Sequence, residues 1–332
     1  MRRFAVLIPI LIILALVVSL QLWPGWVGGC TGLPLFGGPS QPDDTKPGTT
    51  EPARLPTPVV IPGPKQNPIM IRPEKATDVE PPAVNAGQVV VIDEESGEVL
   101  HGVNEHERTP MASTTKIATA IVALERGNLQ DIVNIEYDPN ELHDSTAMGC
   151  NPGEWYTLED LLYGLMLPSG NDAALAIANY IAGSEEAFVS MMNDKARELG
   201  LQDTHFSNPH GLDEPDHYSS AYDMAMLARY GMKNPVFRDL AEARIWDVHG
   251  SKSFRIFNLN RLLWNYDGAD GVKIGFTEMA GRATVASATC NGHRVYVALM
   301  HAGDIVKDVV PLFDYVFDNY RWRDTARGML SE

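Results

Sequence analysis

Residues 271–300 read Gly271-Val272-Lys273-Ile274-Gly275-Phe276-Thr277-Glu278-Met279-Ala280, then Gly281-Arg282-Ala283-Thr284-Val285-Ala286-Ser287-Ala288-Thr289-Cys290, then Asn291-Gly292-His293-Arg294-Val295-Tyr296-Val297-Ala298-Leu299-Met300. Three runs in this stretch, 271–276, 282–289 and 293–300, alternate with the period of two that marks strands. Asn291-Gly292 separates the last two runs, and both residue types accept the positive φ that a two-residue hairpin turn needs. The stretch therefore reads as consecutive antiparallel strands. The same pattern occurs at the far end of the folded region. Residues 88–93 (Gln-Val-Val-Val-Ile-Asp) are β-branched, Glu95-Ser96-Gly97 supplies a turn, and 98–103 return as a strand.

Between these strands the chain reads as helical. Ile117, Ala120, Ile121 and Leu124 recur at helical spacing and predict a helix over 113–125. A second helix is expected over 157–167, opened by Thr157 as cap with Glu159 and Asp160 in its first turn. Further helices are expected over 171–182, over 184–199 ending at Gly200, over 222–230, and over 305–320. No internal repeat is visible. Strands at both ends with helices between them predict an α+β fold: an antiparallel sheet built from both ends of the domain, flanked by helices, with a helical lobe inserted into it.

The regions before this domain differ in composition. Arg2 and Arg3 precede an apolar run over 4–23, about the length that crosses a bilayer, with the charge on the side expected to stay in the cytoplasm. The run is long for a cleaved signal, which favours a retained anchor. Val27-Gly28-Gly29-Cys30 loosely resembles a lipoprotein cleavage box. Segment 1–30 is thus an N-terminal anchor or signal, and the remainder is expected outside the cytoplasm. Residues 31–82 hold thirteen of the 23 prolines and few aromatics, the composition of a disordered tether. The folded domain is expected over 83–322, with a short tail over 323–332.

The formal net charge of −17 repels nucleic acid, so no DNA or RNA partner is expected. Cys30, Cys150 and Cys290 are too few for a disulfide scaffold and form no C-x-x-C pair. Cys150 and Cys290 read more readily as small buried hydrophobes than as a disulfide. His205, His210 and His217 lie close in sequence, but Asn208-Pro209-His210-Gly211 reads as a structured turn, and no metal is expected there.

Three motifs carry chemistry, in this order: Ser113-Thr114-Thr115-Lys116, Ser169-Gly170-Asn171 and Lys273-Ile274-Gly275. Taken singly, Ser113 is an ordinary helix cap, Lys116 a solvated lysine and Ser169-Gly170-Asn171 an interhelical turn. Their combination and order point to a serine nucleophile. A serine hydroxyl needs a nearby base, and a lysine three residues on along a helix lies on the same face. Burial and a second cation, Lys273, lower the lysine's proton affinity so that it can act as a base. Backbone N–H groups of Ser113 and Phe276 are expected to form an oxyanion hole. Ser169 is expected to relay a proton to a departing amine, Asn171 to bond a substrate backbone, and Lys273 to attract a terminal carboxylate.

On these motifs, and on Arg108-Thr109-Pro110-Met111-Ala112-Ser113-Thr114-Thr115-Lys116, the segment 157–174, Asn208-Pro209-His210-Gly211-Leu212 and Ser220-Ala221-Tyr222-Asp223-Met224-Ala225, the chain resembles the low-molecular-mass penicillin-binding proteins, the D-alanyl-D-alanine carboxypeptidases of peptidase family S11. The likeness extends over about 83–320. It implies a β-lactamase/transpeptidase-like fold, no metal and no organic cofactor. It implies Ser113 as nucleophile, Lys116 as base, Ser169 as relay, and Lys273, Gly275 and Thr277 along the substrate strand. The implied substrate is a peptidoglycan stem peptide ending in D-Ala-D-Ala, with β-lactams as covalent inhibitors. Two departures stand out. The chain ends soon after the catalytic region, where many members carry a second domain. Ile274 stands where the family usually has Thr or Ser. A β-lactamase is disfavoured because no Glu-x-x-Leu-Asn pattern follows Ser169. A D,D-endopeptidase acting on cross-links and a weakly active peptidoglycan-binding homologue remain as alternatives.

Overall fold

The computed structural model describes residues 71–136, 142 and 145–324. The apolar run over 4–23, most of the expected tether and the end of the expected tail lie outside the described residues. Among those described, no helix is long and apolar enough to cross a membrane.

The chain opens with β1 (Ile71–Lys75), then the hairpin β2 (Gln88–Asp93) and β3 (Val99–Val103). A 3-10 turn (Ala112–Thr115) runs into α1 (Lys116–Arg126). The short pair β4 (Ile132–Asn134) and β5 (Trp155–Thr157) precedes α2 (Leu158–Met166), α3 (Asn171–Ala182), α4 (Glu185–Glu198), α5 (Ala221–Gly231) and α6 (Pro235–Glu242). A hairpin of β6 (Ile245–His249) and β7 (Ser253–Phe257) and the single turn α7 (Leu262–Asn265) follow. The chain then returns to strands β8 (Ala269–Thr277), β9 (Gly281–Cys290) and β10 (His293–Ala302), and closes with α8 (Ile305–Asn319) and β11 (Tyr320–Asp324).

The main sheet has the order β3-β2-β10-β9-β8, antiparallel throughout. It joins the two ends of the domain, as the sequence pattern requires, and leaves β8 at an edge. The β9–β10 turn sits where expected, with φ of 51° at Asn291 and 85° at Gly292, the left-handed pair of a type I′ turn. Successive side chains on a strand point to opposite faces. Val89, Val91, Val295, Val297 and Leu299 therefore pack with Val309, Leu312, Phe313 and Val316 of α8. Val90, Ile92, Tyr296, Ala298 and Met300 pack into the larger core with α1 and α5. Every residue of β2 is buried because both faces are covered.

α1 is buried from Lys116 through Ala123 and forms the axis of the helical lobe, consistent with a helix apolar on nearly all sides. The helix over Leu158–Met166 starts at the expected Thr157 cap, and two further helices start at serine caps that the sequence reading did not assign. Thr157 accepts from Asp160 N at 3.0 Å, Ser184 from Ala187 N, and Ser220 from Asp223 N, each satisfying a first-turn donor.

Several features differ from the sequence reading. The helix expected from Ser113 begins as a 3-10 turn and becomes α-helical at Lys116. The stretch 232–270, unassigned from sequence, holds α6, the β6–β7 hairpin and α7. Ordered structure is present upstream of Ala83, because β1 pairs antiparallel with β11 from Ile71↔Asp324 to Lys75↔Tyr320. Pro73 and the charged neighbours of β1 conceal a strand that exists only through this distant partner. Trp322 secures the ribbon: its Nε1 donates to Asp93 Oδ1 at 2.6 Å, and its ring stacks on His293 at 4.6 Å. Cys150 is a free buried thiol, so no bond joins it to Cys290. It packs beside Met148, in the manner of a small hydrophobe.

Candidate active site

The three motifs converge where the 3-10 turn, the start of α3 and the edge strand β8 meet. A 3-10 turn has three residues per turn, so Lys116 lies directly over Ser113. Lys116 Nζ is 2.9 Å from Ser113 Oγ, 2.6 Å from Asn171 Oδ1 and 2.5 Å from the carbonyl oxygen of His210. Ser113 makes no helix cap; its hydroxyl faces the lysine. Lys273 Nζ reaches across from β8 and donates to Ser169 Oγ at 3.0 Å and to the carbonyl of Ile274 at 3.0 Å. Both lysines are fully buried.

Burial holds the Lys116 ammonium well below the usual lysine range, and the charge of Lys273 pushes the same way against Asp172. Burial alone pushes Lys273 down to about 7. The geometry explains how a neutral Lys116 is accommodated. A neutral amine has two N–H groups and one lone pair. The two N–H groups suit Asn171 Oδ1 and the His210 carbonyl, which leaves the lone pair facing Ser113 Oγ.

Two residues at the site sit in the left-handed region uncommon for side chains with a Cβ: Ala112 at φ 49° and Ser169 at φ 64°. Such positions cost on the order of 1–3 kcal/mol each and persist only where neighbours impose them. Thr115 Oγ1 donates to the carbonyl of Ala112 at 2.8 Å, and Thr146 Oγ1 to that of Ser169 at 2.7 Å. Gly275 lies so close to the nucleophile turn that a Cβ there would stand 2.7 Å from Ser113 N. That approach brings the next residue on β8, Phe276, beside the same turn.

Ser113, Lys116, Ser169, Asn171, Lys273 and Gly275 are thus brought together, with Phe276 at the rim. Thr277 differs: its hydroxyl donates to Asp213 Oδ1 at 2.7 Å and accepts from Ala280 N at 3.0 Å, so it is engaged within the protein. The sequence reading assigned no role to Asp172, whose carboxylate collects the N–H groups of Met148, Gly149, Cys150 and Ala173 and anchors the segment that carries Thr146. It also gave none to His217. The N–H of Ser207 donates to His217 Nδ1 at 2.9 Å, so the proton sits on Nε2, which donates to Thr115 Oγ1 at 2.8 Å. Burial, with lesser help from neighbouring cationic groups, pushes His210 down to about 3 and His217 down to about 4. Both are neutral structural groups. Among the described residues no His/Cys/Asp/Glu cluster is arranged to hold a metal ion.

A model of the Peptidase_S11 family, described as D-alanyl-D-alanine carboxypeptidase, matches residues 75–304. The chain belongs to this family. It is 38% identical over 250 residues to the D-alanyl-D-alanine carboxypeptidase DacF of Bacillus subtilis, covering 72% of this chain and 64% of that one. It is 37% identical over 240 residues to DacC of Escherichia coli, covering 68% and 58%. The chain thus spans about three-fifths of the length of these relatives. Among solved structures, the D-alanyl-D-alanine carboxypeptidase from Mycobacterium tuberculosis superposes with a TM-score of 0.69 at 34% identity, covering 74% of this chain and 96% of that one. An alanine mutant of the Streptomyces K15 DD-transpeptidase gives 0.69 at 30% identity, covering 71% and 99%. The α+β fold expected from the sequence is the fold of this S11 family.

Proposed function

We propose that this S11 protein is a serine D,D-carboxypeptidase that removes the terminal D-Ala from peptidoglycan stem peptides through an acyl-enzyme on Ser113, and that penicillin acylates the same hydroxyl. The observation that supports this most directly is the 2.9 Å approach of Lys116 Nζ to Ser113 Oγ, with the lysine's other two contacts both to acceptors.

In this mechanism the scissile carbonyl lies between the N–H groups of Ser113 and Phe276. Ser113 Oγ attacks its carbon while the hydroxyl proton passes to Lys116. The tetrahedral oxyanion is stabilised by the two N–H groups. On collapse the C–N bond breaks, the leaving amine takes a proton from Ser169 Oγ, and the proton that Lys116 took from Ser113 passes to Ser169, which returns Lys116 to its neutral form. Lys273, 3.0 Å from that hydroxyl, stabilises the serine oxygen and attracts the leaving residue's carboxylate. Asn171 orients the peptide. A water then attacks the ester while its proton passes to the neutral Lys116; the bond to Ser113 Oγ breaks, Lys116 returns the proton to that oxygen, and the acid is released. None of these steps requires a cofactor or a metal.

The D,D-endopeptidase alternative uses the same residues on a longer leaving group. Location follows the substrate: the apolar run over 4–23 anchors the domain outside the cytoplasm, with the proline-rich segment as tether.

Incubation with benzylpenicillin followed by mass spectrometry tests the proposal. A single covalent adduct on the Ser113 peptide is expected, absent in Ser113→Ala. Lys116→Ala is expected to slow acylation by about a hundredfold or more, a general-base-sized effect. Labelling of Ser113→Ala at the wild-type rate would overturn the assignment.

A further inference from the structure

The loop over 208–217 belongs to no helix or strand, yet it touches both sides of the catalytic cleft. Asn208 shapes it: its Oδ1 accepts from the N–H groups of His210 and Gly211, and its Nδ2 donates to the carbonyl of Leu212 and to Glu214. On the nucleophile side, the carbonyl of Pro209 accepts from Thr119 Oγ1 at 2.6 Å, and that of His210 from Lys116 Nζ at 2.5 Å. Gly211, at φ 92°, lies flat against the turn; a Cβ there would stand 2.0 Å from the carbonyl oxygen of Ala112 and 2.9 Å from Ser113 N. On the strand side, Asp213 Oδ1 accepts from Thr277 Oγ1 at 2.7 Å, and its Oδ2 from Met279 N at 3.2 Å. Among the described residues these two bonds are the hydrogen bonds that join the loop to the end of β8.

The end of β8 needs such a support. Among the described residues it pairs, as an edge strand, with β9 alone, through Thr277↔Gly281 at its end, and its other edge faces the cleft. One residue before Thr277 stands Phe276, whose N–H is the strand's contribution to the oxyanion hole; the other contribution comes from Ser113. The two donors belong to separate elements, and their spacing depends on what connects those elements.

We infer that Asp213 is a positioning residue for acyl transfer: through Thr277 it fixes the end of β8 to the loop that carries the lysine cage, and so sets the gap between the Ser113 and Phe276 N–H groups. The inference rests on the acyl-transfer reading above. It assigns Thr277 a supporting role, in place of the direct substrate contact expected from sequence. Asp213 touches no reacting atom. Its effect therefore appears where the oxyanion is bound and not where the ground-state peptide is bound.

The test uses Asp213→Ala, Asp213→Asn, Thr277→Val and the Asp213→Ala/Thr277→Val double variant of the full chain. It measures the penicillin acylation rate, kcat and KM for a D-Ala-D-Ala peptide, and inhibition by a peptide boronic acid that forms a tetrahedral adduct. Asp213→Ala is expected to lower the acylation rate and kcat by about ten- to a hundredfold, below or near the loss of one oxyanion donor. The boronic acid is expected to weaken by a similar factor, with KM within about threefold of wild type. Asp213→Asn, which keeps one acceptor oxygen, is expected to fall between Asp213→Ala and wild type. Thr277→Val is expected to reproduce the defect, and the double variant to be no worse than the more affected single one. Thr277→Val preserves side-chain shape and carries the test alone if Asp213→Ala does not fold. Unchanged rates, multiplying effects in the double variant, or a loss confined to KM overturns the inference. If wild type itself forms no penicillin adduct, the proposed function fails and this role falls with it. If wild type is acylated and the variants match it, the role of Asp213 alone is rejected.

Discussion

At the scale of single residues, the two lysines divide the work by environment. Lys116 is caged by acceptors and pushed down by burial and by Lys273. Lys273 is pushed down to about 7 by burial alone. A carboxylate-terminated peptide binds best to the charged form of Lys273, which exists below its pKa. KM for such a peptide is therefore expected to rise as pH passes above about 7, while KM for the same peptide capped as an amide stays level. Steady-state kinetics from pH 6 to 9 on the pair checks this, and parallel profiles would remove Lys273 from carboxylate binding. Ile274 is a second residue-scale case. It is β-branched like threonine but has no hydroxyl, and the nearby Thr277 hydroxyl points to Asp213. A hydrogen bond to a charged group contributes roughly 1.5–3 kcal/mol. Ile274→Thr is thus expected to raise kcat/KM for a D-Ala-D-Ala peptide by about ten- to a hundredfold with little change in thermal stability. An unchanged or lower value would show that other groups hold the carboxylate.

At the scale of elements, the legible parts are those whose signal is local. The β9–β10 hairpin is announced by Asn291-Gly292, the first turn of α2 by Thr157 and Asp160, and β2 by its run of valines. Ser113 and Ser169-Gly170-Asn171 sit at helix starts and Lys273 lies within the alternating run of β8, so the elements that carry the motifs were legible from local signals. What the sequence concealed depends on distant partners. β1 has no strand character apart from β11. Asp213 reads as one acidic residue in a loop until Thr277 stands beside it. His210 reads as part of a structured turn and His217 lies close to it in sequence, but nothing in the sequence signals that each is buried and neutral in the loop. Their protonation has a consequence for stability. The unfolded chain takes up protons near the ordinary histidine pKa of 6.5, while the folded loop refuses them until about pH 3 and 4. Below about pH 6 the unfolded state therefore binds more protons, and stability falls as pH falls, by up to ~1.4 kcal/mol per pH unit for each histidine. Denaturant titrations of wild type and His217→Gln between pH 7 and 4 check this; the variant is expected to lose stability less steeply, and equal slopes would exclude His217 as a source.

At the scale of the molecule, the fold places the catalytic strand and the terminal ribbon at opposite edges of one sheet. β8 forms one edge and β3 the other, four strand spacings or about 19 Å apart. The ribbon docks at the β3 side, where Tyr320 Oη donates to the carbonyl of Leu100, Trp322 bonds Asp93, and Arg72 pairs with Glu98. The ribbon thus adds β1 (Ile71–Lys75) to the sheet-bearing domain. A chain beginning at Ile71 is expected to be soluble, active and as stable as the full-length protein. One beginning at Ala83 lacks β1, exposes the edge of β11 and is expected to melt several degrees lower with kcat nearly unchanged. Equal melting temperatures for the two truncations would show that the ribbon adds nothing to stability.

The same ribbon has a mechanical consequence. Ile71 pairs with Asp324 at the open end of β1–β11, so tension entering from the N-terminal side acts first on that pair. The bonds then yield one after another, as in a zipper, and not all at once in shear. The ribbon works as a fuse: under tension from its N-terminal side the protein surrenders five residues of pairing before load reaches the sheet whose edge strand β8 borders the Ser113 turn.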